Sequence, residues 1–233
     1  GSINIPKEDA RTISDHLVRS TLLGHDSHGI WRVIGYVSEM MEDYQVWDNH
    51  KVVRDGPCFA VIDGGGANGI VAVNKAVELA IQKAKDATFG FIGLRNVTHI
   101  GRLGDYPPRI AEHGMIGSVW LAGGGLFLAP FGSADRRLRP EPIAYAVPRK
   151  NGSPFMLDIT MSVVAGGKFE QKAIREEPTP EGWMIDQSGN YVTDTPRFKD
   201  DDVGILPLGG LQFGHKGAGL AMMIEMIVGP LTG

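Results

Sequence analysis

The sequence predicts an α/β fold. Segments 58–63, 91–97, 115–122, 143–148 and 155–158 are short, mostly apolar runs of the kind that form strands. Segments 7–23 and 70–87 repeat apolar residues at helical spacing, and 218–228 is a further apolar helix. Glycine-rich or polar turns separate the two kinds of segment, and the 32 glycines cluster in such loops, where backbone turns sharply or approaches a ligand.

The chain has 233 residues, enough for one large domain or two small ones with a proper core. With 42% hydrophobic and 21% charged residues it has the composition of an ordinary globular protein rather than a disordered one. A net charge of -4 with no basic tract argues against nucleic-acid binding. The single cysteine, Cys58, excludes an internal disulfide framework and any Cys-pair zinc site, and fits a reducing compartment. The greasiest stretch, 219–231, is interrupted by Glu225 and Pro230, so no membrane span is expected. No signal peptide is expected, and Gly1-Ser2 reads as a cleavage scar.

The first helix, 7–23, lacks Pro and Gly and carries Ala10, Ile13, Leu17 and Thr21 on one side; Gly24 supplies its stop. Asp26 or Ser27 is then a natural N-cap for a second helix beginning near His28. On such a helix His28, Arg32 and Tyr36, four residues apart, share one face. The arrangement suits a small carboxylate. The helix N-terminus offers N–H groups, Arg32 a planar two-pronged donor, and His28 a proton carrier for a hydroxyl or carbonyl oxygen. The same residues also read as a plain helix–turn–helix corner. His25, Asp26 and His28 further suggest a metal-dependent hydrolase, but no third ligand stands at a known spacing.

Segment 51–56 is mixed in character. After strand 58–63, Gly64 to Gly69 matches G-x-G-x-x-G and opens helix 70–87, whose apolar face is Ile70, Val73, Val77, Ala80 and Ile81. That is formally a Rossmann fingerprint. The next strand ends in Arg95, Asn96 and Thr98, however, with no acid at its tip to hold a ribose, which argues against that fingerprint. His99 follows that strand, at the edge where α/β sheets usually place ligands. Asp105, Pro107 and Pro108 start a short helix to His113.

Strands 143–148 and 155–158 form a hairpin around the turn 150–153. Asp158-Ile159-Thr160-Met161-Ser162 is an acid-hydroxyl run that suits ribose hydroxyls or a helix cap. Segment 170–191 is charged and turn-rich, and 199–202 reads as a solvated loop. Lys216 lies in a glycine-rich turn opening the last helix, without the spacing of a P-loop.

The stretch Leu22 to Tyr36, in the pattern L-x-G-H-D-S-H-G-x-x-R-x-x-x-Y, resembles the signature of the type-2 malate/L-lactate dehydrogenase family, to which ureidoglycolate dehydrogenases, diketogulonate reductases and sulfolactate dehydrogenases belong. Further likenesses follow in order: Asn96–Gly101 to N-x-x-H-x-G, Ala129–Gly132 to A-P-x-G-G, Asp158–Ser162 to L-D-M-A-T-S, Pro180–Trp183 to a P-x-G-W turn, and Gly214–Leu220 to G-x-K-G-x-G-L. The resemblance, running from about residue 8 to 233, implies a mixed-sheet, non-Rossmann nicotinamide-binding fold. Its parts would be a helical substrate-side segment, 1–50 joined by 205–233, and an α/β cofactor-binding domain, 51–204.

The resemblance implies NAD- or NADP-dependent hydride transfer on a 2-hydroxy or 2-oxo acid, or a related carbonyl or imine. His28, His99 and Arg32 would be catalytic, and Ser27, Arg32 and Tyr36 would bind substrate. Asp158, Ile159, Thr160, Ser162, Lys216, Gly123 and Pro130 would contact the cofactor, with no metal. A cytoplasmic homodimer acting on a small molecule is the expectation. The family starts with a helix before Glu8 and continues past Gly233, so the chain is expected to be truncated at both ends. Arg139-Pro140-Glu141-Pro142 departs from the family's Gly-Thr-Asn-Pro, placing a carboxyl where an anionic substrate would sit. That departure motivates the alternative of a catalytically impaired or truncated member acting as a binding protein.

Overall fold

A computed structural model describes residues 5–42 and 44–233; Gly1-Ser2, read as a cleavage scar, lies outside them. Among the described residues the chain is mixed α/β, with three three-stranded sheets. Among the described residues, no helix is long and apolar enough to cross a membrane.

The chain divides into two compact units. The first takes the described residues up to Val119 together with Ala144–Leu157 and Pro230–Gly233; the second takes Trp120–Ile143 and Asp158–Gly229. The expected division into 1–50 with 205–233 and 51–204 is one by role, which this partition does not address.

In the first unit α1 (Lys7–Leu22) ends at Gly24, which takes the left-handed φ of +76° the turn requires. Two 3₁₀ turns, Asp26–His28 and Ile30–Arg32, lead into α2 (Val33–Glu42). Strand β1 (Lys51–Gly56) pairs antiparallel with β2 (Phe59–Asp63), which pairs parallel with β3 (Phe91–Arg95). Parallel neighbours need a crossover, and α3 (Gly69–Ala87) supplies it. Asn68 caps α3 by accepting the N–H groups of Ile70 and Val71. Strand β1 is exposed along nearly its whole length, which is why its sequence looks mixed. The core gathers Ile13 and Leu17 of α1, Tyr36 of α2 and Ile70 and Val71 of α3. Each such aliphatic side chain contributes about 1.5–3 kcal/mol when fully buried.

After a 3₁₀ turn (Leu103–Asp105), α4 (Pro107–Ala111) is shorter than the sequence suggests. A second sheet, in the order β4–β5–β6, is formed by β4 (Gly117–Trp120), β5 (Ile143–Val147) and β6 (Phe155–Ile159). The strand expected over 115–122 is confined to β4.

In the second unit, the stretch 170–191 read as turn-rich takes in the second half of α5 (Gly166–Ile174), the short strand β7 (Met184–Asp186) and the start of β8 (Tyr191–Val192). Strand β9 (Val203–Ile205) completes an antiparallel sheet in the order β8–β7–β9. Phe169, Met184, Val192, Phe198, Val203 and Ile205 form its core. A one-turn helix α6 (Gly210–Phe213) precedes α7 (His215–Thr232), which extends past the predicted 218–228 and carries Pro230 in its last turn. Ala221 and Ile224 of α7 are fully buried with Leu128 and Met161.

Candidate active site

The signature stretch does not form one helix from His28. Gly29 is extended (ψ -155°) and separates the two 3₁₀ turns, so α2 begins only at Val33. The break comes from packing. A Cβ on Gly29 would overlap the Thr21 side chain of α1, and Thr21 Oγ1 accepts the Ile30 N–H at 2.9 Å. Neither Asp26 nor Ser27 is a side-chain cap; the residue before the first 3₁₀ turn is His25, and it makes no capping bond. The shared-face argument for His28, Arg32 and Tyr36 therefore fails as geometry, yet the fold gathers His28 and Tyr36 by another route, around His99.

His99 stands on the loop after β3. Its ring stacks against that of His28 with centroids 5.6 Å apart, and Tyr36 lies 5.8 Å away at a tilt. The Tyr36 hydroxyl hydrogen-bonds Nδ1 of His99, and the Gly101 N–H donates to the same nitrogen at 3.3 Å. Burial pushes the Tyr36 phenol up to about 12, so it carries its hydrogen and donates it. Nδ1 of His99 is thus the acceptor, and the hydrogen of the neutral ring sits on Nε2.

His28 Nδ1 pairs with the buried Ser27 Oγ at 3.0 Å. Arg32 Nε donates to the Ser27 carbonyl at 2.9 Å, and its guanidinium lies 4.7 Å over the Trp31 ring. Burial, then His99 and Arg32, push the His28 imidazole down to about 3. Crowding by surrounding protein, then Arg32, push His99 down to about 4, although the residue keeps an exposed edge toward solvent. Both imidazoles are neutral at pH 7. Arg32, fixed at its inner edge, provides positive charge beside two uncharged rings, a setting for an anion with a polar oxygen next to it.

The glycine loop 64–69 is explained by this site. A Cβ on Gly69 would overlap the backbone carbonyl of Thr98, and one on Gly64 would overlap the Val97 side chain. Bare backbone here lets the start of α3 pack under the loop that carries His99, which is the role of a strand-to-helix junction.

In the second unit the hydroxyls of the acid-hydroxyl run are engaged by backbone carbonyls. Thr160 Oγ1 donates to the Pro140 carbonyl at 3.0 Å, Ser162 Oγ donates to the Val164 carbonyl at 2.7 Å, and the two oxygens are 2.9 Å apart. Asp158 and Ile159 are half-buried at the end of β6. The run packs beside residues 206–208, through Val163 N–H to the Leu206 carbonyl and Leu208 N–H to the Met161 carbonyl. Pro130 lines a cleft of about 140 Å³ with Phe131, Leu206, Pro207 and Leu211. Gly123 is half-buried and a Cβ on it would meet only Leu121, while one on Gly124 would meet open space. Lys216 is exposed on the first turn of the 18-residue α7, its Nζ 5.8 Å from the Phe213 ring, with no carboxylate paired to it among the described residues. That donor set fits a phosphate-bearing group: a cation at a helix N-terminus with glycine backbone nearby in sequence.

Glu141 proves to be wholly buried, at a left-handed φ of +39°, and neither of its oxygens makes a hydrogen bond among the described residues. Burial, then the nearby Glu225, push its carboxyl up to about 9. Glu225 itself pairs with Arg139 at 2.7 Å. At pH 7 Glu141 is therefore protonated and contributes no negative charge. For the hydrolase reading, no three His, Cys, Asp or Glu side chains among the described residues are grouped to hold a metal.

Two residues that the sequence did not flag stand behind His99. His16 of α1 is fully buried and bonds Asp105, which the sequence placed at a helix start. The Asp105 carboxylate instead receives the Arg19 fork at 2.8 and 2.7 Å. A separation of 89 residues leaves no local signal for the His16–Asp105 pair.

The malate/L-lactate dehydrogenase family model matches residues 2–233. The malate dehydrogenase of Pyrococcus horikoshii is 38% identical over 99% of this chain and 64% of its own length. Its solved structure superposes with a TM-score of 0.84, at 36% identity, covering 99% of this chain and 63% of that one. Hydroxycarboxylate dehydrogenase B of Escherichia coli is 33% identical over 97% of this chain and 63% of its own. The solved delta1-piperideine-2-carboxylate reductase of Pseudomonas syringae pathovar tomato is 26% identical, with a TM-score of 0.84 over 97% of this chain and 67% of that one. The chain spans about 64% of the length of the first of these relatives. From the match along nearly every residue and the shared fold, the chain belongs to the malate/L-lactate dehydrogenase family.

Proposed function

We propose that this chain takes part in nicotinamide-dependent hydride transfer between a 2-hydroxy acid and the corresponding 2-oxo acid, or a related carbonyl or imine. The observation that carries the reading is the cluster of His28, His99 and Tyr36 with Arg32 in the same signature stretch. Arg32 holds the substrate carboxylate, helped by Ser27. A neutral His28 or His99 accepts the hydroxyl proton on oxidation and returns it on reduction. Tyr36, taken from the sequence as a substrate contact, acts chiefly by orienting His99. NAD or NADP supplies the hydride acceptor or donor. Asp158, Ile159, Thr160, Ser162, Gly123, Pro130 and Lys216 are the residues proposed to hold it, Lys216 taking phosphate oxygens. In this reading 1–50 with 205–233 serves the substrate and 51–204 the cofactor. The working form is a cytoplasmic homodimer, without nucleic-acid or membrane partners.

The test is titration of the purified chain with NADH and NADPH, followed by nicotinamide fluorescence, and then a panel of 2-oxo acids. Saturable binding of either nucleotide and turnover of one oxo acid support the reading. A folded chain that binds neither sinks it for this chain and favours a binding protein that keeps the family fold. Sedimentation of the same sample reads the homodimer directly.

A further inference from the structure

The His16–Asp105 pair lies outside the chemistry proposed above, yet through the Arg102 N–H it is bonded to the loop that bears His99. His16 is fully buried on α1. Its Nε2 accepts the backbone N–H of Arg102 at 2.9 Å, and its Nδ1 faces Asp105 Oδ2 at 3.0 Å. A backbone N–H only donates, so the lone pair must be on Nε2 and the ring hydrogen on Nδ1, pointing at the carboxylate. One tautomer satisfies both contacts, and Asp105 selects it.

Asp105 is itself locked. Arg19 grips it with a two-pronged bond, Nε to Oδ1 and Nη2 to Oδ2. Burial alone would raise the Asp105 carboxyl; the bonds from His16 and Arg19 outweigh it and hold the group well below the usual carboxylate range. Gly101, at a left-handed φ of +71°, lies directly on the His16 ring, where a Cβ would overlap Nε2. The N–H of this Gly101 is one of the two donors to His99 Nδ1. On the other side of the loop, the Tyr106 hydroxyl holds the Ile100 carbonyl.

We propose that His16 and Asp105 are positioning residues for His99. Arg19 fixes Asp105, Asp105 fixes the His16 tautomer, and His16 fixes Gly101 and Arg102. The Gly101 N–H is thereby aimed at His99 Nδ1, and the His99 ring is turned with Nε2–H outward. The inference rests on the reading of His99 as a site residue, but its physical core is a relay of hydrogen bonds that can be observed without turnover.

Asp105→Asn leaves one acceptor oxygen where Arg19 alone uses two. The amide NH₂ must then face Arg19 or His16, and facing His16 it forces the hydrogen onto Nε2, against the Arg102 N–H. The experiment is ¹⁵N–¹H NMR of the imidazoles in histidine-labelled protein, assigned by single substitutions, for wild type, Asp105→Asn and Arg19→Lys. Arg19 is partly exposed, so Arg19→Lys loosens the fork with little threat to folding. In wild type, His16 is expected to show a protonated Nδ1 and a bare Nε2, and His99 the reverse. In Asp105→Asn the His99 Nδ1 resonance moves, and the His16 pattern inverts where the amide NH₂ faces that ring; in Arg19→Lys the His99 resonance moves the same way by less. Where turnover is found, kcat falls up to about tenfold, the scale of one lost orienting hydrogen bond, with KM little changed. Unaltered His99 resonances in either folded variant overturn the proposal. An inactive wild type whose His99 resonances still follow Asp105 and Arg19 refutes the proposed reaction but not the relay.

Discussion

Tyr36 donates its phenolic hydrogen to Nδ1 of His99, 63 residues further along the chain. The phenol is almost fully buried in the core formed by α1, α2 and α3, so this bond ties the signature stretch to the loop after β3. Tyr36→Phe keeps the packing and removes the bond. A hydrogen bond of this kind contributes about 0.5–1.5 kcal/mol, so kcat should fall roughly two- to thirteenfold with KM nearly constant. If Tyr36 instead contacts the substrate, KM rises and kcat holds. Steady-state kinetics of the one variant separates the two roles.

The imidazoles of His28 and His99 are lowered to about 3 and about 4. In the oxidation direction the ring must accept a proton, so it must be neutral, and activity is lost as pH falls through its folded value. Activity against a hydroxy acid should therefore persist at pH 5 to 6, where a histidine near its ordinary value of about 6.5 would already be charged. The same shift has a consequence for folding. The unfolded chain takes up protons as pH falls below about 6.5 and the folded chain does not, so stability declines toward pH 4. The measurement is kcat/KM against pH, with the imidazole C–H shifts followed over the same range. Rings that titrate near 6.5 would contradict the assigned environment.

The β2–α3–β3 unit was readable because its signals are local: an apolar run, a glycine turn, a helical period and a second apolar run. The choice of His99 rests mostly on the resemblance of Asn96–Gly101 to the family's N-x-x-H-x-G segment, with its place after a strand as the local support. What escaped depends on distant partners. The helix from His28 is interrupted because Gly29 meets Thr21 on α1, and no pattern within 25–36 encodes that contact. Strands β7, β8 and β9 have three, two and three residues, too few for an alternating pattern to emerge from the charged sequence around them. The acid-hydroxyl run at 158–162 reads as ribose-binding chemistry or a helix cap, and no local pattern shows that Thr160 holds the distant Pro140 carbonyl and Ser162 the Val164 carbonyl.

The Gly29–Thr21 contact makes its own prediction. Gly29→Ala puts a methyl group into the Thr21 side chain and disturbs the Ile30 N–H bond to Thr21 Oγ1. Overpacking of this kind costs about 1–3 kcal/mol. Thr21→Ala removes the obstructing atoms, so Gly29→Ala should cost less in that background. Urea denaturation of both single variants and the double variant reads the coupling. Strict additivity would mean that the two positions do not meet.

Glu141 supplies the sharpest link between charge and stability. Its carboxyl rises from an ordinary value near 4.5 to about 9, by burial first and the neighbouring Glu225 second. Below pH 4.5 both folded and unfolded chains hold the proton, and the group is neutral to folding. Between about 4.5 and 9 the unfolded chain releases it and the folded chain keeps it, so wild-type stability falls as pH rises across that window. Glu141→Gln puts a permanently neutral group of the same shape in the site and abolishes this fall. The variant should melt close to wild type at pH 5 and above it at pH 8, by several degrees, since about 1 kcal/mol corresponds to roughly 2–4 °C in a chain of this size. Calorimetry at the two pH values decides it. A difference that does not grow with pH would show that Glu141 is ionised in the folded chain, and would return a negative charge to the position where the family's sequence pattern has an uncharged one.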